Sequence, residues 1–355
     1  MKSKLIPMIA VCLLFNLFIS CKKNDPIKVQ RGFYYWKSNP YSLSEGELGV
    51  LKNLQVQNLY VKLFEVEKDE IFGTKPIAKT QVNIYDNPNV VLDRTMSAMN
   101  IVPTVFISND VFTNSSKVNF DTLANNIVFL VIKYFNERIN HDKGYNEIQI
   151  DCDWTIKTKD NYFHLLKAIK KISYKKLSCT LRLYPYKYPE QMGVPPVDKA
   201  TLMCYNLLNP LENKDQNSIQ NNDELEKYLK NVKTYPLHLD IALPVFSWMQ
   251  VYQNNFFAGM IRSNSEKIIP HLKKIKPMWY QMQTDLETEE IYLRQGDMIK
   301  IEEVTEKGVK ETISLLKKYL EFNNNTSINL FHLDEDNLKK YNREAILSFY
   351  TGFNN

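Results

Sequence analysis

The sequence predicts an α/β fold, a (β/α)8 TIM barrel with a small hairpin insertion before the last strand. Three observations carry this. Eight short apolar runs, rich in β-branched and aromatic residues, alternate with stretches whose apolar residues recur at helical spacing. Strands separated by helices pair in parallel with right-handed crossovers, and eight of them suffice to close a barrel. An open doubly wound sheet is the competing arrangement. No Gly-rich turn follows the first run, however, and with only 10 glycines in the chain, phosphate-cradling loops of the dinucleotide-binding or P-loop type are excluded.

In chain order the runs are Gly32 to Trp36 (GFYYW), Asn58 to Val66 (NLYVKLFEV), Ile101 to Ile107 (IVPTVFI) and Glu147 to Trp154 (EIQIDCDW). Leu177 to Leu183 (LSCTLRL), Thr201 to Leu207 (TLMCYNL), Leu237 to Trp248 (LHLDIALPVFSW) and Ser327 to Leu333 (SINLFHL) complete them. Amphipathic stretches at Phe120 to Ile139, Tyr162 to Ile172, Glu224 to Val232 and Val309 to Phe322 read as helices, and Arg343 to Tyr350 as a closing one. Asn209 to Asp223 is polar and Asn/Gln-rich, hence a loop. Ile291 to Val304 alternates around Gln295-Gly296 and reads as a hairpin.

The N-terminus carries its own signal. Lys2 and Lys4 precede the apolar segment Leu5 to Ile19, which is too short to span a membrane and is followed by polar residues. Phe18-Ile19-Ser20-Cys21 resembles the lipobox of bacterial lipoproteins. That resemblance implies a signal peptide over residues 1–20, a lipidated Cys21 with a tether over 21–30, and one barrel domain over 31–355. It also implies a cell-envelope location, lipid-anchored to a membrane (the outer membrane) through Cys21. Of the remaining cysteines, Cys12 falls in the discarded segment. Cys152, Cys179 and Cys204 sit in apolar runs, without zinc-ligand spacing, and read as small buried hydrophobes.

The formal net charge is only +5 and basic residues are interspersed with acids, which disfavours a nucleic-acid partner. The five histidines lie far apart with no metal-binding spacing, and no Gly-x-Ser-x-Gly elbow occurs. No metal and no cofactor are expected.

Barrel chemistry gathers where strands end. Those ends carry Trp36, Lys62 and Glu65, Asp151 and Asp153 with Trp154, Arg182, Tyr205 and Asn206, Asp240, and Trp248. Asp151 and Asp153 are two apart and so share one side of a strand, where like charges in low dielectric raise one pKa. One acid then donates a proton while its neighbour stays ionised. The alternative reading makes them helix caps or a structural ion network with Arg182. Three of the four tryptophans, Trp36, Trp154 and Trp248, fall at run ends, a pattern suited to stacking on sugar rings.

EIQIDCDWT resembles the fourth-strand motif D-x-x-D-x-D-x-E of family 18 glycoside hydrolases, the chitinase-like barrels. Asp151 and Asp153 match its second and third acids, Ile148 stands at the first, and Thr155 stands where the proton-donating glutamate belongs. Met203-Cys204-Tyr205-Asn206 is similar to that family's sixth-strand M-x-Y-[DN]. The runs QIDCDWT, TLRLYPYKYP, GVPPVD and LMCYN resemble those of Bacteroidota-type envelope lipoproteins with such barrels. The resemblance implies a glycan or oligosaccharide partner; with Thr155 at the donor position, a displaced carboxylate (Asp153, Asp151 or Glu65) would have to supply the proton, and the expectation is Asp153 as acid, tuned by Asp151. Trp36, Trp154, Arg182, Tyr205, Asn206, Asp240 and Trp248 would bind substrate, Tyr205 and Asn206 holding its acetamido group. Glycoside cleavage needs an acid to protonate the leaving oxygen, and a threonine hydroxyl does not supply one near neutral pH. Two functions therefore stand: a lipoprotein that hydrolyses a glycan by carboxylate acid/base chemistry, or a non-catalytic glycan-binding or envelope-scaffold lipoprotein.

Overall fold

The computed structural model describes residues 27–354 apart from 38–42, 70–72, 78–97, 114–118, 140–143, 213, 233 and 263–264. The predicted signal peptide, Cys21 and the first part of the tether lie outside the described residues. Eight parallel strands close the barrel: β1 (Gln30–Tyr35), β2 (Asn58–Asp69), β4 (Asn100–Ile107), β5 (Glu147–Asp151), β6 (Lys176–Leu181), β7 (Lys199–Met203), β8 (His238–Pro244) and β16 (Ser327–Phe331). Their order runs β1-β16-β8-β7-β6-β5-β4-β2, and β1 pairs back on β2 from Gly32↔Asn58 to Tyr35↔Val61. The short β3 (Gly73–Ile77) folds antiparallel onto the protruding end of β2.

Around the strands lie α1 (Glu45–Asn53), α2 (Phe120–Arg138), α3 (Lys159–Ser173), α4 (Asn222–Leu229), α5 (Glu306–Tyr319) and α6 (Arg343–Thr351). Most begin on a residue that supplies the first turn with an acceptor. Ser44 forms a capping box with Glu47, while Asn119, Asn221, Thr305 and Asn342 each accept a backbone N–H three residues on. The four interior helices and the closing one thus fall where the periodicity of the sequence places them.

Alternation sends residues 147, 149 and 151 of β5 into the lumen, which is filled by hydrogen-bonded polar side chains. Tyr34 donates to Gln149 at 2.8 Å, and the Gln149 amide reaches Thr201 at 3.2 Å. Below them Lys199 bridges Glu147 (3.0 Å) and the fully buried Asp240 (2.9 Å). Gly32 is required here, because a Cβ would stand 1.9 Å from Asn329 Oδ1.

The seventh run departs from its predicted extent. Its ladder stops at Pro244, and Trp248 starts a different sheet. That sheet replaces the expected hairpin at Ile291 to Val304. Five antiparallel strands take part: β9 (Trp248–Gln253), β10 (Phe256–Ile261), β11 (Leu272–Lys276), β12 (Trp279–Met282) and β15 (Met298–Glu302). A small ribbon of β13 (Leu286–Glu287) and β14 (Tyr292–Leu293) joins β12 to β15. The sheet has its own core of Met249, Val251, Ile261, Ile268, Met282, Leu293 and Ile299. Its first hairpin turns at Asn254-Asn255, both at positive φ, the conformation a two-residue primed turn demands.

The Asn/Gln-rich loop before α4 is pinned to this sheet. Ser218 donates to Glu302 at 2.6 Å, Lys300 to the Gln216 carbonyl at 2.8 Å, and Trp279 to the Lys214 carbonyl at 3.1 Å. Lys300 and Glu302 form an ion pair with no solvent exposure.

Candidate functional site

The loops after β5, β6 and β7 converge with Trp248 around a cleft of about 920 Å³. Six of the ten predicted site residues line it: Asp153, Trp154, Arg182, Tyr205, Asn206 and Trp248. The loops sit here because β5 ends at Asp151 and the chain turns outward through Cys152–Trp154 before α3. Asp153 is thereby carried past the strand end to the rim. It is half exposed, and its two oxygens accept from Arg182 Nε at 2.6 Å and Nη2 at 2.7 Å. Such a bidentate pair fixes both side chains.

Asp151 stays behind, inside the lumen and outside the cleft lining. It accepts from Thr180 Oγ1 at 2.6 Å. Burial, and then the charge of Asp153, push its carboxyl up to about 6, against the hydrogen bond from Thr180 and the charges of Arg182 and Lys62. Unfolded, such a group titrates near about 3.9, so between those two values the folded chain binds more protons and stability falls as pH rises. Asp151→Asn keeps an acceptor for Thr180. It is expected to flatten this dependence and to stabilise the protein at neutral pH by up to about 3 kcal/mol. Urea midpoints of both proteins at acid and neutral pH check this, and parallel pH curves refute it.

Glu65 reaches the lumen side through a bulge. The register of β2 against β4 slips between Lys62 and Phe64, which sets Glu65 with Lys62 while Phe64 packs outward on Tyr134. Lys62 Nζ lies 2.7 Å from Glu65 and 5.3 Å from the centre of the Trp36 ring. Trp36 in turn packs on Tyr34 and Phe331. Both Glu65 and Trp36 belong to the barrel mouth beside the cleft, not to its walls.

Trp154 lines the cleft yet is held as packing. Its ring stacks on Tyr162 at 5.2 Å and its Nε1–H donates to the Met192 carbonyl at 3.3 Å. Tyr205 is buried, stacked on Phe331 at 5.1 Å, and burial drives its hydroxyl pKa well up. Asn206 takes φ +53°, and its enclosed Oδ1 has no hydrogen-bond partner among the described residues. The Trp248 indole donates to Glu302 at 2.5 Å, which fixes its ring in the wall.

Asp240 requires correction. The sequence puts it at a strand end with the others, but β8 stops at Pro244 and Asp240 pairs in register with Thr201, low in the lumen. It belongs to the Lys199–Glu147 ion network, far from the rim. Thr155 sits at the cleft in a local hydrogen-bonded turn: its N–H donates to Thr158 Oγ1 at 2.9 Å, and Thr158 donates to Asn109 at 2.7 Å.

Cleft walls that the sequence reading did not single out include Ile156, Lys157, Met192, Tyr228 and Leu208 to Pro210. The lone lysine opening the run KATLM was the available signal for Lys199. Cys152, Cys179 and Cys204 are free and buried, as expected. Among the described residues no three His, Cys, Asp or Glu side chains gather as a metal-binding group.

A comparison with known protein families and one with curated proteins found no match. Among solved structures the chain is similar to the Ostrinia furnacalis Group IV chitinase, at 11% identity and TM-score 0.52, over 92% of this chain and 99% of that one. It is similar also to the chitinase-like agglutinin RobpsCRA from Robinia pseudoacacia, at 10% identity and TM-score 0.51, over 91% and 99%. At such identities the likeness shows the fold: this chain has the closed eight-stranded barrel found in a chitinase and in a chitinase-like agglutinin.

Proposed function

We infer that the cleft binds a glycan without cutting it. One observation carries this reading. Asp153 is the only acid among the cleft's described lining residues, both its oxygens are taken by Arg182, and the position of the expected proton donor is Thr155. Trp248 and Tyr184 place aromatic side chains in the cleft lining beside Asn206, whose enclosed Oδ1 has no hydrogen-bond partner among the described residues. Binding is thus provided for, while the proton that glycoside cleavage requires is not presented.

The hydrolase reading keeps one supporting observation, the Asp151 carboxyl at about 6, which holds a proton closer to neutrality than an ordinary aspartate. The roles then differ from those expected from sequence: Asp151 is the acid and Asp153 orients Arg182. Both readings meet in one experiment on the chain from residue 27, which contains every element of the described fold. N-acetylglucosamine oligomers are titrated in a calorimeter and the mixture is followed by mass spectrometry. Saturable binding with intact oligomer is expected. Product that disappears in Asp151→Asn selects the hydrolase, and absence of both binding and product rejects the two together.

We also propose that the protein is a cell-envelope lipoprotein anchored through Cys21. The sequence Phe18-Ile19-Ser20-Cys21 after an apolar segment supports this. Replacing Cys21→Ala is expected to move the protein from the detergent phase to the aqueous phase on Triton X-114 partition. An unchanged distribution removes the anchor.

A further inference from the structure

The composition of the cleft does not suit a glycan alone. Ile156 from the loop after β5, Met192 and Pro185 from the segment after β6, and Leu207, Leu208 and Pro210 from the loop after β7 meet in its walls. Three separate loops thus contribute aliphatic or thioether surface to one space. Ile156 and Tyr184 stand 51% and 43% exposed at its edge, and Leu211, next to Pro210, is 43% exposed. Isolated exposed apolar side chains need no explanation, but apolar side chains grouped around one concave site mark a ligand surface.

Sugar hydroxyls set against such walls lose their water and gain no hydrogen bond. Aromatic rings offer a flat face to a pyranose, whereas Leu, Ile and Met side chains offer area suited to methylene groups. Polar groups are interspersed with this surface: the Asp153–Arg182 pair, Thr155, Lys157, Asn206 and Asn209, with Tyr184, Tyr205 and Tyr228. A pocket that combines apolar walls with placed polar groups selects an occupant that is itself divided in this way.

We propose that the cleft takes an amphiphilic glycan, a sugar held by the Asp153–Arg182 and Asn206 groups and bearing an acyl or alkyl substituent that lies along the aliphatic wall. This rests on the reading of the cleft as a glycan site and narrows its ligand class to glycolipids and acylated sugars. The sugar gives orientation and the chain gives most of the affinity.

Three probes are titrated into the chain from residue 27: the N-acetylglucosamine trimer, its octyl β-glycoside, and octyl tetraethylene glycol, which has the tail without the sugar. Concentrations are kept below micelle formation. The octyl glycoside is expected to bind at least tenfold more tightly than the trimer, and more tightly than the sugar-free octyl probe. Ile156→Asn and Leu208→Asn should each reduce the ratio of the two affinities several-fold. Ile156 is half exposed, so its variant folds whatever becomes of Leu208→Asn.

Equal affinity for trimer and octyl glycoside overturns the amphiphile proposal and leaves the glycan reading intact. An advantage unmoved by both variants overturns the placement of the tail. Binding of the sugar-free probe as tight as that of the octyl glycoside, with none of the trimer, overturns the amphiphile proposal and the glycan reading alike, as does no binding of any probe.

Discussion

Lys199→Met is expected to destabilise the barrel by about 3–5 kcal/mol, the usual consequence of removing one partner from a buried ion pair. Lys199 stands between Glu147 and Asp240, at 3.0 and 2.9 Å. Asp240 has no exposure and Glu147 only 6%. Burial opposes the charge on Lys199, but Asp240 and Glu147 override it and raise its pKa. Burial likewise opposes ionisation of Asp240, yet His238 and Lys199 lower its pKa. Without the lysine, two carboxylates remain close together in low dielectric with no cation between them. Because the Lys199 side chain keeps 23% exposure, water relieves part of this, and the loss falls in the lower part of the range.

The pH signature separates this account from simple loss of packing. In the native protein a depressed Asp240 pKa contributes stability above its unfolded value, and that stability is lost as pH falls. In Lys199→Met the sign reverses, since protonating one carboxylate relieves the repulsion. The gap between variant and native protein therefore narrows in acid. Urea unfolding at neutral and acid pH measures it, and a loss under about 1 kcal/mol at neutral pH means that the network carries no net strain on removal.

Trp248→Ala is expected to weaken glycan binding by about 2 kcal/mol or more, some thirtyfold, as truncation of a central aromatic wall does. The indole has two functions that substitution separates. Its face lines the cleft, and its N–H donates to Glu302, which also receives Lys300 and Ser218. Trp248→Phe keeps a face and removes the donor. Glu302 retains its other partners, so this variant should bind within a few-fold of the native protein. Calorimetric titration with the N-acetylglucosamine trimer compares the three. If Phe is as poor as Ala, the hydrogen bond holding the wall matters more than the face.

The barrel was legible because each strand is a compact apolar run and most of the long helices around them start on a capping residue, and these local signals agree with the closed sheet. All eight runs appear as strands, displaced by a residue or a few. Height within the barrel was not legible. Alternation correctly turns Asp151 into the lumen, but it says nothing of depth, so Asp240 was grouped with the rim although it lies near the opposite end. The face of a ring was likewise hidden: Trp154 reaches the cleft and yet spends its stacking surface on Tyr162.

The bulge that brings Glu65 beside Lys62 adds one residue to β2 without any composition signal. The inserted sheet was underestimated for a related reason. The run LHLDIALPVFSW reads as one strand, while the structure divides it at Pro244 and gives its second half to another layer.

That division has a consequence for how the proposed binding cleft can change. The groove is lined almost wholly by loops of the barrel, and Trp248 alone among its described walls comes from the inserted sheet, a module with an independent interior fastened by Lys300, Glu302 and Ser218. A small shift of the module on its fastening would move this one indole wall without retuning the eight-stranded scaffold. Selection for a new occupant therefore has a route that leaves the folding problem already solved.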